Sequence, residues 1–180
     1  MSGLPVALWP AFAVVCGLLI VAGIGKLRAP QATRDAVRLT RVPVPAGTVR
    51  ALGAAEVALG TFALIGPGVA SCLLVAAVYG LFAGFVLVLL RSTSRPVGCG
   101  CFGDAESGAG WIHVVLNGAA FVVAILATAS PPPHLDWLFG RSPVIGVSLA
   151  IGTAAATFAG YLAYTAFPGA WRSYGSAERA

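Results

Sequence analysis

The sequence predicts an all-α integral membrane protein, and three observations carry that prediction. Hydrophobic residues make up 58% of the 180-residue chain and charged ones only 9%, against about 25% charged in an ordinary soluble domain. The mean hydropathy is +0.91. Several apolar runs are long enough to cross a hydrocarbon layer about 30 Å thick. This composition excludes a soluble globule, a disordered chain and a collagen-like repeat. The net charge of +5 does not point to nucleic acid, because no basic patch is interleaved with aromatic residues.

The elements follow in order. Residues 4–24 form an apolar run that rises about 31 Å as a helix, enough to span alone. It lacks a basic leader segment, and no small-residue cleavage pattern precedes Lys26, so a retained helix is expected. Residues 26–47 are polar. Within them Pro30 can open a short helix, Ala36, Val37 and Leu39 supply a narrow apolar face, and Pro43 and Pro45 end it, which predicts a helix lying in the membrane interface. A second span covers 48–65. Gly66, Pro67 and Gly68 close it in a tight turn that sends the third span, 69–90, back antiparallel as a helical hairpin.

Residues 91–110 form a loop rich in Ser, Gly and charge, and the fourth span covers 111–129. Pro131, Pro132 and Pro133 break it. The segment 134–141 is too short and polar to cross. The fifth span, 143–167, begins with a proline, where a helix tolerates one. Residues 1–130 thus make a four-helix membrane domain, and residues 131–180 a proline-rich connection, a fifth helix and a short tail.

With the N-terminus outside, ten of the eleven basic residues fall on the cytoplasmic side, namely Lys26, Arg28, Arg34, Arg38, Arg41, Arg50, Arg91, Arg95, Arg172 and Arg179, leaving Arg141 outside. The positive-inside rule therefore favours N-outside, C-inside. Small residues at four-residue spacing, Gly80 and Gly84 in the third span and Gly152, Ala156 and Gly160 in the fifth, predict close helix packing. Trp9, Trp111, Trp137 and Trp171 lie near span ends and read as interfacial anchors.

Chemistry concentrates in few residues. Cys99 and Cys101 flank Gly100 in the loop before the fourth span, with Gly98 and Gly103 close by, so the backbone meets little steric resistance in bringing two sulfurs together. A disulfide across one intervening residue closes a strained ring, better suited to exchange than to stapling. The plain alternative is two reduced thiols in a turn. A third is soft-metal handling of Cu(I) or Zn by the pair with His113, although three ligands are fewer than a closed structural zinc site needs. His113, at the mouth of the fourth span with Asn117 one turn deeper, would favour thiolate if protonated beside the pair; otherwise it is a hydrogen-bonded interfacial histidine. Glu56 is the one carboxylate inside a span. It lies about 9 Å of helix rise below Arg50 and needs a proton or a partner, with Lys26, Arg28 and Asn117 within reach. Its plain reading is a packing pin, its sharper one a proton relay. Cys16 and Cys72 read as small apolar core residues, as do Tyr79, Phe82 and Phe85 as packing. No nucleotide-binding loop, zinc-protease helix or serine triad is present, and no cofactor is expected.

Three stretches together resemble the methylamine utilisation MauE family, itself similar to the wider DoxX-like membrane proteins: residues 25–30 after the first span, Glu56 with Leu59 and Gly60 in the second, and residues 99–103 before the fourth. The resemblance covers about residues 4–129. It implies a DoxX-like four-helix bundle, here extended by a fifth helix, in a bacterial-type cell membrane. It also implies a thiol redox or maturation role exercised with a thioredoxin-like partner or a client protein. Members often carry Arg-Asn early in the last core helix, where this chain has Leu116 and Asn117. The extra helix also fits a different class, a non-catalytic accessory subunit or assembly factor of a larger membrane complex.

Overall fold

The computed structural model describes residues 4–40, 43–92, 100, 102 and 110–166, with Leu4 and Arg141 described by their backbone alone. Seven helices follow one another among them: α1 (Leu4–Arg28), α2 (Pro30–Arg38), α3 (Ala46–Ile65), α4 (Val69–Ser92), α5 (Trp111–Ala129), α6 (Leu135–Arg141) and α7 (Pro143–Thr165). Five of them, all but α2 and α6, are long and apolar enough to cross a membrane. No strand occurs among the described residues. The protein is an all-helical, multi-pass membrane protein.

The first span runs one turn further than its apolar composition suggests. Helix α1 continues through Lys26 to Arg28 and stops only where Ala29, restricted by the following Pro30, leaves the helical region at φ −131° and ψ 68°. Lys26 is thereby carried into the span, and it is 2% exposed. An ammonium can sit there only because another helix supplies its counter-charge.

Helix packing departs from the hairpin expected of α3 and α4. The turn at Gly66–Gly68 joins them, but each packs chiefly on another helix, α3 on α1 and α4 on α5. The reason lies in glycines other than those the spacing singles out. A Cβ on Gly23 would lie 2.5 Å from the Gly53 carbonyl oxygen, one on Gly53 2.7 Å from the Gly23 oxygen, and one on Gly60 2.9 Å from the Cys16 oxygen. Backbone therefore touches backbone along α1 and α3. Gly84 and Gly152, by contrast, have nothing within 4 Å of such a Cβ, and Gly80 and Gly160 meet only the side chains of Phe121 and Leu18.

The core sits where α1, α3, α4 and α5 meet. Phe12, Val15, Cys16 and Leu19 of α1 pack there with Ala63, Cys72, Val75, Ala76 and Tyr79, and alanines 120, 124 and 127 line the α5 side. The Tyr79 hydroxyl donates to the Val15 carbonyl at 2.7 Å and ties α4 to α1. Trp9 is not an interfacial anchor: it is buried with Ala13 and Leu138, because α6 folds back over the start of α1. Trp111 is 68% exposed at its span end, as an anchor should be, whereas Trp171 lies outside the described residues.

Helix α7 lies against the opposite side of α1 from this core. A cavity of about 670 Å³ separates parts of α1, α6 and α7, with Trp9, Gly17, Phe139, Thr153, Phe158 and Tyr161 among its walls. On the short helix α2 the buried positions are Pro30, Thr33 and Ala36, three residues apart, while Leu39 is 42% exposed. The face turned to the protein thus shares only Ala36 with the Ala36, Val37 and Leu39 stripe that the sequence assigns to the membrane interface. It is the face that receives Gly100.

Candidate functional site

The end of α1, the start of α3, the start of α5 and the end of α7 come together at one end of the bundle, and the loop residues Gly100 and Phe102 dock there. The deepest polar feature is an ion pair. Lys26 Nζ donates to Glu56 Oε2 at 2.8 Å, with the two side chains 2% and 1% exposed. Of the partners in reach of Glu56, Lys26 is the one that meets it. The same ammonium stands 4.9 Å from the centroid of the Phe82 ring, a cation–π distance that offsets part of its desolvation. Glu56 Oε1 is buried without a hydrogen-bond partner among the described residues. The pair thus joins α1 and α3 and rests on α4, beside the Gly23–Gly53 contact, so charge and backbone packing fix one interface together.

A second polar chain links α5 to α7. Asn117 Nδ2 donates to the His113 carbonyl at 2.8 Å, and the Tyr164 hydroxyl donates to Asn117 Oδ1 at 3.2 Å. His113 and Asn117 are both buried. His113 Nδ1 accepts from the Gly110 N–H at 3.3 Å, closing the first turn of α5, and its ring meets Tyr164 edge-on at 5.6 Å between centroids. An imidazole nitrogen that accepts a backbone N–H is unprotonated at that atom. The described contacts of His113 are therefore those of a helix-capping, hydrogen-bonded histidine.

Two residues between α4 and α5, Gly100 and Phe102, have described contacts. Gly100 adopts φ +64°, the left-handed region that glycine enters without penalty. An added Cβ would stand 2.6 Å from Thr33 Cα and 2.7 Å from the Ala32 carbonyl carbon, so the Gly100 backbone lies directly on α2. The Thr33 hydroxyl, on a buried side chain, donates to the Gly100 carbonyl at 2.6 Å. Phe102 packs against Tyr164, at 4.9 Å between centroids, and edge-on against Tyr161 at 5.6 Å. Cys99 and Cys101 themselves lie outside the described residues.

A family model described as methylamine utilisation protein MauE matches residues 4–130. The chain belongs to the MauE family. No curated protein and no solved structure matches it. The MauE match ends one residue past α5, so α1 to α5 belong to the family's matched region while α6 and α7 lie beyond it. Thr33, Lys26, Glu56, His113 and Asn117 are within the match; Tyr161 and Tyr164, which meet Phe102, are not.

Cys16 and Cys72 are free, fully buried and part of one apolar core. Among the described residues no group of three or more His, Cys, Asp or Glu side chains is arranged to hold a metal ion; the Cu or Zn set of Cys99, Cys101 and His113 falls partly outside them. Sequence reasoning missed Thr33 and Tyr164. A buried threonine in a polar helix and a tyrosine late in an apolar span carry no local signal, because their partners are 67 and 47 residues away.

Proposed function

We propose that this MauE-family protein is a membrane thiol-disulfide redox or maturation protein in which Cys99 and Cys101 exchange with a partner protein. The observation that carries this reading is Gly100. The residue between the two cysteines is held at a positive φ, on a buried threonine, at the end of the bundle that also holds the Lys26–Glu56 pair. That contact ties the residue between the two cysteines to α2.

The exchange conserves electrons. A partner disulfide is reduced to two thiols as the Cys99 and Cys101 thiols lose two protons and two electrons to become a disulfide, and the reverse direction follows when the partner arrives reduced. The attacking sulfur is a thiolate and the displaced sulfur leaves as one, so the steps need only proton exchange with water or a neighbouring group. A thioredoxin-like protein fits as partner because it presents two such sulfurs. The distribution of basic residues supports a topology with the N-terminus outside and the loop on the cytoplasmic side.

Differential alkylation in native membranes, before and after reduction, tests the reading. Cys99 and Cys101 are expected to shift between oxidised and reduced pools while Cys16 and Cys72 stay unmodified. A pair that never changes oxidation state, together with intact client maturation in the Cys99→Ser/Cys101→Ser variant, overturns it. Labelling intact cells with a membrane-impermeant maleimide tests the orientation: modification of the loop cysteines from outside reverses it.

A further inference from the structure

The end of the bundle where α1 stops and α3 starts is strongly basic. Arg28 closes α1, Arg34 and Arg38 stand one turn apart on α2, and Arg50 lies near the start of α3. Among the described residues of these three helices the four guanidinium groups stand against Asp35 alone, since Lys26 and Glu56 neutralise each other. Asp35 meets Arg38 at 3.7 Å with both side chains more than half exposed, a contact worth little in water. The helix connections outside the described residues add two bases, Arg41 and Arg95, and two acids, Asp104 and Glu106, and so leave the balance unchanged. At the opposite end, α6 carries Asp136 against Arg141. Arg34 is held in place: its Nε donates to the Val44 carbonyl at 3.2 Å, which fixes the plane of the guanidinium and leaves its two terminal nitrogens with no described partner. Two donors fixed in one plane suit two oxygens of a single phosphate.

These arginines sit at the edge of the surface that faces hydrocarbon. Leu27, Leu39 and Leu52, all exposed, lie within two residues of Arg28, Arg38 and Arg50. Trp111, exposed at the start of α5, marks the membrane boundary at the same end. A soluble acidic partner would satisfy the charges and leave the leucines unmatched, whereas a phospholipid meets both, its chains lying on the leucines and its phosphate at the guanidinium groups. We infer that Arg28, Arg34, Arg38 and Arg50 form a binding face for the headgroup phosphate of an anionic phospholipid, with Arg34 as the oriented donor. The inference is independent of the exchange function proposed above. It also holds whichever side of the membrane this end faces.

The test titrates the full-length protein in a neutral detergent with phosphatidylglycerol and, separately, with phosphatidylcholine carrying the same acyl chains, and reads affinity by calorimetry. Phosphatidylglycerol is expected to bind more tightly at low salt, and the difference should shrink as salt screens the exposed charges. Arg34→Gln and Arg38→Gln should each weaken phosphatidylglycerol about fivefold, the factor that corresponds to one basic residue at a membrane surface. Their effect on phosphatidylcholine should be much smaller, because its choline neutralises the phosphate. Arg34→Lys keeps the charge but not the planar fork and should fall between the wild type and Arg34→Gln. Arg141→Gln, at the opposite end, should bind as the wild type does. Arg28, Arg38 and Arg50 are exposed, so the variant with all three changed to Gln should keep the wild-type melting temperature in phosphatidylcholine; if it melts lower, Arg38→Gln alone decides. Equal affinity of the wild type for the two lipids overturns the inference, as does a phosphatidylglycerol preference that survives intact in the deciding variant. Displacement of the lipid by inorganic phosphate at equal concentration overturns it in favour of a free anion, and displacement by a soluble poly-glutamate peptide overturns it in favour of an acidic protein.

Discussion

Helix α1 has two working faces, and they are built by different means. Towards α3 it offers glycine to glycine: a Cβ on Gly23 would be 2.5 Å from the Gly53 oxygen, and the Lys26–Glu56 pair closes the same interface. Towards α7 it offers side chains across a cavity of about 670 Å³, with contact where Gly17 meets Thr157 and Leu18 meets Gly160. In lipid no hydrophobic force drives helices together, so dispersion from close approach must do it. The α1–α3 face has that approach along its length. The α1–α7 face, beyond the family match, has it at points. An added helix can thus dock on an existing bundle without reshaping the backbone it meets, provided side chains bridge the gap.

The largest effect should come from splitting the ion pair. Glu56→Leu strips a buried ammonium of its carboxylate and is expected to cost about 3–5 kcal/mol, read by thermal unfolding in detergent. The double variant Lys26→Met/Glu56→Leu should recover much of that loss. If the double variant is as unstable as the sum of both single changes, the pair is not the feature that closes the interface. Glu56→Gln keeps the shape but not the charge, and a silent Gln beside a damaging Leu would mean that Glu56 is satisfied as a neutral acid.

Next comes the glycine contact. Gly53→Ala puts a Cβ within 2.7 Å of the Gly23 oxygen, and an overpacked interface of this kind typically costs about 1–3 kcal/mol. Gly152→Ala on α7 is the matched control. Nothing lies within 4 Å of the added carbon, so its melting temperature should match the wild type. Equal melting temperatures for the two alanine variants would erase the distinction between the two faces of α1.

Smaller changes separate the faces further. Tyr79→Phe removes the donor to the Val15 carbonyl and should cost about 1 kcal/mol. On the cavity side, Thr153 Oγ1 is buried with no partner among the described residues. Thr153→Val removes that hydroxyl at nearly constant volume and is expected to leave stability unchanged or raise it slightly. A clear loss there would show that the hydroxyl is satisfied in the membrane, and that the α7 face is better packed than its cavity suggests.

The sequence by itself determined the class of the protein. Apolar runs bounded by Pro30, by the Gly66–Gly68 turn and by Pro131 place five spans to within a turn, because hydropathy and helix-breaking residues act locally. It also marked Glu56 as a charge in need of a partner, since the cost of burying a carboxylate in lipid depends on depth, and depth can be counted from Arg50. What it left open was which helix meets which. The turn between α3 and α4 predicts a hairpin, yet α3 packs on α1, because Gly23, Gly53 and Gly60 let those two backbones touch, and register between helices is a property of both at once. Only the tertiary structure chose Lys26 over Arg28 as the partner of Glu56, buried Trp9 beneath α6, and set Thr33 against Gly100 and Tyr164 against Phe102. Each of those outcomes joins residues far apart in the chain, and a side chain's own neighbours in sequence carry no information about such a meeting.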